Sequence, residues 1–304
     1  MGFRVTQSMI AANSLANLQN SLTRSQQLQD QMSTGKILRK PSDDPTGAAR
    51  SLQLRSEITR NQQWSTNADD GLGWLGTADK TLTSSLDSIS KVRDLVLQGA
   101  NATTDPEGRK ALALEVRAVR DGLIGLANTS YNNRPIFAGN TDTNAAFAQD
   151  GSYLGDSGTV YRTVGTDASV QVNVVGTDVF GSGNSSLFKV LDDIATHLEN
   201  GTDADIAALT NASGGVAGDL DRLDSARLTM QNRLSEVGAR YHRVETMQLR
   251  AQDDLITLKS NLSHTEDADL PATFVALSVQ NTAYQAALAA TSKVIQPSLV
   301  DFLR

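Results

Sequence analysis

The chain has 304 residues, a formal net charge of −7 and no cysteine. This length allows one to three domains with a buried core, whereas the lack of cysteine excludes disulfides and thiolate chemistry. The negative charge and the scattered basic residues argue against nucleic acid or an anionic membrane as a partner. We expect neither a membrane span nor a cleaved secretory leader, because no apolar run approaches the roughly 20 residues that cross a bilayer and the N-terminus lacks the leader pattern.

The first predicted element is an amphipathic helix that extends to about residue 34. Its apolar side chains recur every three or four residues, and Gly35 follows as the usual residue just past a helix end. The stripe consists of Ile10, Leu15, Leu18, Leu22, Leu28 and Met32.

A turn containing two prolines follows at residues 35–47. The sequence Asp44-Pro45 is typical of an N-cap followed by the first helical residue. A metal site or an acid–base pair at Asp43 and Asp44 is the alternative, but adjacent carboxylates in such a turn are usually caps. The turn is marked by Pro41, Ser42, Asp43, Asp44 and Pro45.

Helical spacing returns before residue 131. A second segment begins near Leu54, and a cleaner one runs from Leu72 to about Gly99. A third starts at Pro106 behind a predicted Asp105 cap, so neighbouring segments should pack antiparallel.

Between residues 132 and 205 the helical period disappears and glycines become frequent. Alternating valines around 160–164 and 170–174 predict half-buried strands, and residues 144–158 predict a loop. A short helix should follow from Ser185 and another turn at 205–209. We interpret this part as a small β-rich domain inserted between two helical halves. No glycine-rich stretch in it has phosphate-loop spacing.

The stretch from Val216 to Leu262 predicts a long helical rod. Its apolar residues alternate steps of three and four, a mean spacing of 3.5 that is typical of a coiled-coil seam. Such a helix spans on the order of 70 Å and needs partner helices of similar length.

An acidic cluster at residues 264–269 interrupts the rod and should favour the N-terminal dipole of a last helix. It lacks the alternating ligands and central glycine of a calcium loop. The last helix has apolar residues on two faces, so more than one partner should cover it. One face carries Phe274, Leu277, Tyr284, Leu288 and Ile295; the other carries Ala272, Ala276, Val279, Ala283, Ala287, Ala290 and Val294.

No catalytic pattern appears. The three histidines, His197, His242 and His264, have no metal-ligand spacing, and no nucleophile elbow is present. We therefore predict a protein without catalytic, cofactor or metal residues.

The fold predicted from these elements is mainly α: a long antiparallel helical bundle or coiled coil formed by the N- and C-terminal halves, with a small inserted β-rich domain. Residues 1–40 with 265–304 would form a terminal coiled-coil assembly domain. Residues 41–131 with 206–264 would form the long bundle, and residues 132–205 the insert.

Several motifs, in order along most of the chain, resemble the bacterial flagellin family. They are Lys40-Pro41-Ser42-Asp43-Asp44-Pro45-Thr46-Gly47 after the first helix, Glu266-Asp267-Ala268-Asp269 before the last one, and a closing Leu303-Arg304. Residues 63–75 and 134–143 are more similar to the hook–filament junction branch of the family than to flagellin. Pro271 departs from the family pattern and places the start of the last helix there.

The resemblance implies a structural subunit that joins the hook of the bacterial flagellum to its filament. It also implies secretion through the flagellar export channel with an export chaperone, and partners that are copies of itself in a ring, a neighbouring hook-associated junction protein and flagellin. The expected assembly contacts are Ile10, Leu15, Leu18, Leu22, Met32, Leu277, Tyr284, Leu288, Ile295 and Leu303.

Two alternatives stay open from the sequence. One is flagellin itself, the filament subunit. The other is a soluble coiled-coil adaptor or adhesin, whose ends would fold in the isolated monomer.

Overall fold

The computed structural model describes residues 7–101, 104–210 and 218–295. Its helices are α1 (Gln7–Thr34), α2 (Pro45–Gly99), α3 (Pro106–Ala127), α4 (Gly176–Phe180), α5 (Leu187–Asn200), α6 (Asp203–Thr210), α7 (Asp219–Glu266) and α8 (Leu270–Ile295). Its strands are β1 (Ser130–Tyr131), β2 (Arg134–Pro135), β3 (Tyr161–Thr163) and β4 (Ser169–Gln171), with a 3₁₀ turn at Gly183–Ser185.

These elements confirm the predicted fold class of long helices with a small strand-containing insert. The two segments predicted between residues 47 and 99 are one continuous helix, α2. The predicted rod is α7, and it is separated from α8 just before Pro271, as the proline indicated. Within the described ranges, no helix combines the length and the apolar character needed to cross a bilayer.

The chain divides into two compact units. Unit 1 comprises residues 1–59 and 255–304, and unit 2 comprises residues 60–254, so α2 and α7 contribute to both. The predicted three-part division at residues 40, 131, 205 and 264 stays a prediction.

In unit 2, a seven-residue repeat runs along both long helices. Leu220 and Leu234, each three residues before a buried residue of α7, are half-buried, as expected for the second position of a coiled-coil seam. Arg93 on α2 also donates to Asp224 on α7 at 3.2 Å, so the two helices pack side by side and the 3.5 spacing in the sequence corresponds to a seam between them. Fully buried residues at seven-residue steps are Leu75, Leu82, Ile89 and Val96 on α2 and Leu223, Met230, Val237 and Val244 on α7.

Helix α3 begins as its sequence predicts. The backbone N–H of Gly108 donates to the Asp105 carboxylate at 3.1 Å, and Pro106 is the first helical residue. This arrangement satisfies an amide that the first turn of a helix leaves without a partner. One face of α3 packs against α5, whose apolar face is buried along its length.

The insert contains two small antiparallel hairpins. In the first, Asn132 and Asn133 both have positive φ, which suits the two-residue turn between β1 and β2. In the second, Arg162 pairs with Val170. The strands are only two or three residues long, so the valine alternation identified their places but overstated their lengths.

An aromatic cluster forms the core of the insert. The Phe147 ring lies 5.1 Å from that of Phe188 and 5.4 Å from that of Phe180, while Phe180 and Phe137 meet edge to face. All four rings are almost completely buried. The predicted loop at 144–158 is tied to this cluster, because Tyr153 packs on Phe147 and its hydroxyl lies 2.9 Å from the Phe137 carbonyl.

We expect Phe147→Ala to reduce the free energy of unfolding of unit 2 by about 3–5 kcal/mol, because removing the buried ring leaves a cavity that the surrounding side chains do not fill. Urea unfolding followed by tryptophan fluorescence reports on this unit, in which both Trp64 and Trp74 lie. Tyr161→Ala, on an exposed side chain of β3, is the matched control and should cost under about 0.5 kcal/mol. Equal losses in the two variants would contradict the role given to the aromatic cluster.

Candidate assembly interface

Helices α1 and α8 lie side by side in unit 1 and run antiparallel. The Ser25 hydroxyl donates to the Asn281 side-chain oxygen at 3.0 Å. The Gln280 amide donates to the Ser21 hydroxyl at 2.7 Å and to its carbonyl at 3.2 Å. The contacts that join the two terminal helices are thus partly polar.

The less exposed residues of each helix follow the spacing of a coiled-coil seam. On α1 they include Ser14, Leu18, Ser21, Ser25, Leu28 and Met32, and on α8 they are Thr273, Leu277, Gln280, Tyr284, Ala287 and Thr291. About half of these positions are polar. Among the described side chains of both helices, Leu28 is the one apolar residue that is buried.

Large apolar side chains remain on the outer surfaces of the pair. Phe274 is 60% exposed and Val279 is 64% exposed, and other α8 and α1 residues share this exposure. Contiguous apolar surface on a single chain is typical of interaction sites. The exposed set is Met9, Leu15, Leu22, Leu270, Phe274, Val275, Val279 and Leu288.

The structure places the predicted assembly residues in three groups. Leu15, Leu22 and Leu288 are exposed, whereas Leu18, Met32, Leu277 and Tyr284 are half-buried in the seam. Ile10 and Ile295 lie within the helices, but their side chains are outside the described part, and Leu303 lies outside the described residues. The whole set stays a prediction of the interface.

The turn between α1 and α2 is fixed by its two aspartates. The Asp43 carboxylate accepts the backbone N–H groups of Arg39 and Lys40 at 3.2 and 3.0 Å, and Asp44 accepts that of Thr46 at 3.0 Å. Helix α2 begins at Pro45, which is the predicted cap arrangement. Among the described residues, no group of three or more acidic or histidine side chains could hold a metal.

Backbone pairing joins this turn to the segment between α7 and α8. The Ile37 N–H donates to the Glu266 carbonyl at 2.6 Å, and the Ala268 N–H donates to the Gly35 carbonyl at 2.9 Å. Between them Lys36 and Asp267 form an isolated antiparallel bridge. The end of α1 and the start of α8 are therefore held together by main-chain hydrogen bonds.

The Glu266 carboxylate lies at the centre of this junction. Arg55 contacts its two oxygens with Nε at 2.9 Å and Nη2 at 2.8 Å. The Ser51 hydroxyl also donates to it, and Lys36 Nζ lies 3.2 Å away. We call the residues Lys36, Ser51, Arg55, Glu266 and Asp267 the Glu266 knot.

The knot compensates the cost of burying a carboxylate. Glu266 is only 4% exposed, and an isolated charge there would be strongly unfavourable. The hydrogen bonds from Arg55, more than those from Ser51 and Lys36, stabilise the charged form and lower the pKa of Glu266 to about 2. The same lysine also lowers the pKa of Asp267, 2.5 Å from its Nζ.

The structure corrects one prediction about the acidic cluster at 264–269. Glu266 is the last residue of α7 and does not serve the dipole of α8; that end is capped by Asp269, which accepts the Ala272 N–H at 3.0 Å. The sequence held little information on the partners of Glu266. Ser51 and Arg55 are four residues apart on one helix face, but nothing in their spacing links them to a residue more than 200 positions away.

Comparison with known proteins gives the class. Residues 5–142 match the family model described as the bacterial flagellin N-terminal helical region. The chain is 26% identical to flagellar hook-associated protein 3 of Escherichia coli, over 93% of this chain and 94% of that protein. It is 25% identical to the flagellin of Bacillus subtilis, over 80% of each chain.

Solved structures show the same fold. A putative flagellar hook-associated protein from Vibrio parahaemolyticus superposes with a TM-score of 0.65 and 20% identity, covering 74% of this chain and all of that one. The flagellar hook-associated protein 3 of Legionella pneumophila gives 0.61 and 18%, covering 70% and 98%.

These findings confirm the predicted resemblance to the bacterial flagellin family and to its flagellar hook-associated proteins. Within this family the chain is similar to hook-associated protein 3 over nearly its whole length. Its similarity to the flagellin of Bacillus subtilis covers less of the chain, so the comparisons favour the junction branch.

We predict that acid removes the contribution of the knot to stability. Because the pKa of Glu266 is lower in the folded chain than its ordinary value of 4.5, this contribution is complete above that value and disappears as the pH falls toward about 2. At neutral pH Glu266→Gln should cost about 2 kcal/mol, a figure reduced by the solvent exposure of Arg55 and Lys36.

Urea unfolding followed by circular dichroism at several pH values measures the difference. The gap between wild type and Glu266→Gln should close as the pH falls, while Glu57→Gln, which removes a charge elsewhere in unit 1, should show almost no gap at any pH. A gap independent of pH would be inconsistent with a charge effect.

Proposed function

We propose that this chain is the structural subunit that joins the hook of the bacterial flagellum to its filament, and that it assembles through α1 and α8. The observation that carries this proposal is the uncovered apolar surface on both terminal helices. The similarity to hook-associated protein 3 over nearly the whole chain supports the junction rather than the filament as its place.

The physical reason is that α1 and α8 are long helices that bury very little of each other. Helix formation depends mainly on the burial of an apolar face, and a half-polar seam contributes little of that. Neighbouring subunits that cover Phe274, Val275 and Val279 would supply the missing burial, at about 25 cal/mol for each Å² of apolar surface removed from water. Assembly would then stabilise helices that are only marginally stable in one chain.

The partners follow from this role. Copies of the chain would stand side by side in a ring, with a hook-associated junction protein on one side and flagellin on the other. An export chaperone would cover the terminal helices before secretion. We further propose that the protein has no catalytic role and that its terminal, bundle and inserted segments divide at the boundaries predicted from the sequence.

Deleting the gene tests the function directly. Cells that lack this protein should carry hooks without filaments under the electron microscope, and the wild-type gene should restore the filaments. Purified protein that grew into long filaments unaided would instead support a role as flagellin, and filaments of normal length in the deletion strain would contradict both flagellar roles.

We predict that Leu18→Asp and Leu288→Asp each prevent incorporation while unit 2 stays folded. Leu18 is half-buried in the seam and Leu288 is exposed beside it, so a charge at either place would have to be buried in the assembly. Filament counts on complemented cells measure incorporation, and tryptophan fluorescence of the purified variants measures the folding of unit 2.

Leu114→Asp is the control, since Leu114 is also an exposed leucine on a helix but lies on α3 in unit 2. It should complement the deletion as well as wild type does. If the two variants in the terminal helices were also incorporated normally, these helices would not be the assembly elements.

A further inference from the structure

The α1–α8 seam does not specify its own alignment well. In coiled coils the register is set by large apolar side chains that fit one set of holes and by occasional buried polar pairs. Here Leu28 is the one buried apolar side chain among those described, and serine, threonine and alanine occupy many seam positions. Small residues such as these fit several alignments almost equally well.

The Glu266 knot fixes both helices at one end. Helix α1 ends at Thr34 and α8 begins at Leu270, so one end of each helix lies within a few residues of the Lys36–Asp267 bridge. The main-chain hydrogen bonds of this bridge allow one alignment only. The two-point contact of Arg55 with Glu266 then ties the bridge to α2, because a guanidinium and a carboxylate match in one geometry.

The polar contacts farther along the seam agree with the alignment at the knot. Ser25 and Asn281 lie 11 and 14 residues from the Lys36–Asp267 bridge, and Ser21 and Gln280 lie 15 and 13 residues from it, so both contacts agree with the bridge to within three residues. Both helices rise by the same length per residue, so an alignment fixed at the knot is transmitted to these positions.

We propose that the Glu266 knot is a register clamp from which the α1–α8 pair closes, and that the order of the two helices depends on this clamp more than on their own seam. The clamp determines which apolar residues of α1 and α8 stand next to each other on the outer surface. The alignment of α1 and α8 by the clamp does not depend on the proposed function. Only its consequence for assembly rests on that function.

Hydrogen exchange with mass spectrometry on the purified monomer tests the clamp. In wild type, amide protection should be highest near residues 28–34 and 270–277 and should fall with distance along both helices. Glu266→Gln should speed exchange across α1 and α8 by about tenfold or more, because a buried, charge-assisted contact is lost. Exchange in the α2–α7 seam of unit 2 should not change.

Two further variants sharpen the result. Arg55→Lys keeps the positive charge but cannot contact both carboxylate oxygens in parallel, so its effect should be intermediate and the fold should be retained. Glu57→Gln removes a carboxylate from the same unit, outside the knot, and should exchange like wild type.

The proposal is contradicted if Glu266→Gln changes amide exchange only at residues 34–38 and 264–269 and leaves both helices at wild-type rates. It is also contradicted if the amides of α1 and α8 are unprotected in wild type, or if their protection does not fall with distance from the knot. The proposed function is judged separately, by whether the wild-type gene restores filaments to a deletion strain, so either result can fail without the other.

Discussion

The buried carboxylate of Glu266 is the constraint on which the rest of unit 1 depends. Glu266 at the end of α7 is 4% exposed, so its charge requires partners, and these come from two distant places in the sequence: the turn after α1 and the start of α2. Satisfying this one side chain brings together segments that are far apart in the chain. The terminal helices can meet because their inner ends are already held side by side.

The character of the seam explains why these helices suit an assembly role. A strongly apolar seam would hold α1 and α8 together in the isolated chain, so the two helices would need no neighbouring molecule to become ordered. The half-polar seam leaves Phe274, Val275 and Val279 outside and contributes little stability itself. In the proposed assembly, a subunit built in this way would gain most of its order from neighbours that cover the side chains exposed on the single chain.

The sequence predicted what depends on local periodicity and failed where distant residues meet. The 3.5 spacing located α7 and its seam, and the Asp-Pro pairs at Asp44 and Asp105 located the starts of α2 and α3, because these features depend on near neighbours. The strands of the insert were placed but made too long, since its core is the phenylalanine cluster and not a sheet.

The knot could not be predicted for a similar reason. Its acidic residue was assigned to a helix dipole, which is the usual role of carboxylates before a helix, and its arginine lay on a helix face like many others. The assignment of function came from motifs that resemble a family, while the heptads by themselves indicated only a structural or interaction protein built on a long bundle. Contacts between residues more than 200 positions apart leave no periodic trace in a single sequence.

The seven-residue repeat shared by α2 and α7 has a consequence for how this protein can change in length. Side-chain contacts between Arg93 and Asp224 and between Asp69 and Gln248 join the two helices, and the buried residues of both recur at steps of seven. A lone insertion of three or four residues would rotate one buried stripe away from its partner. The pair can therefore grow or shrink only by whole repeats taken from both helices together, each adding or removing about 10 Å. The length of the seam can therefore change only in steps of about 10 Å, one step for each seven-residue repeat.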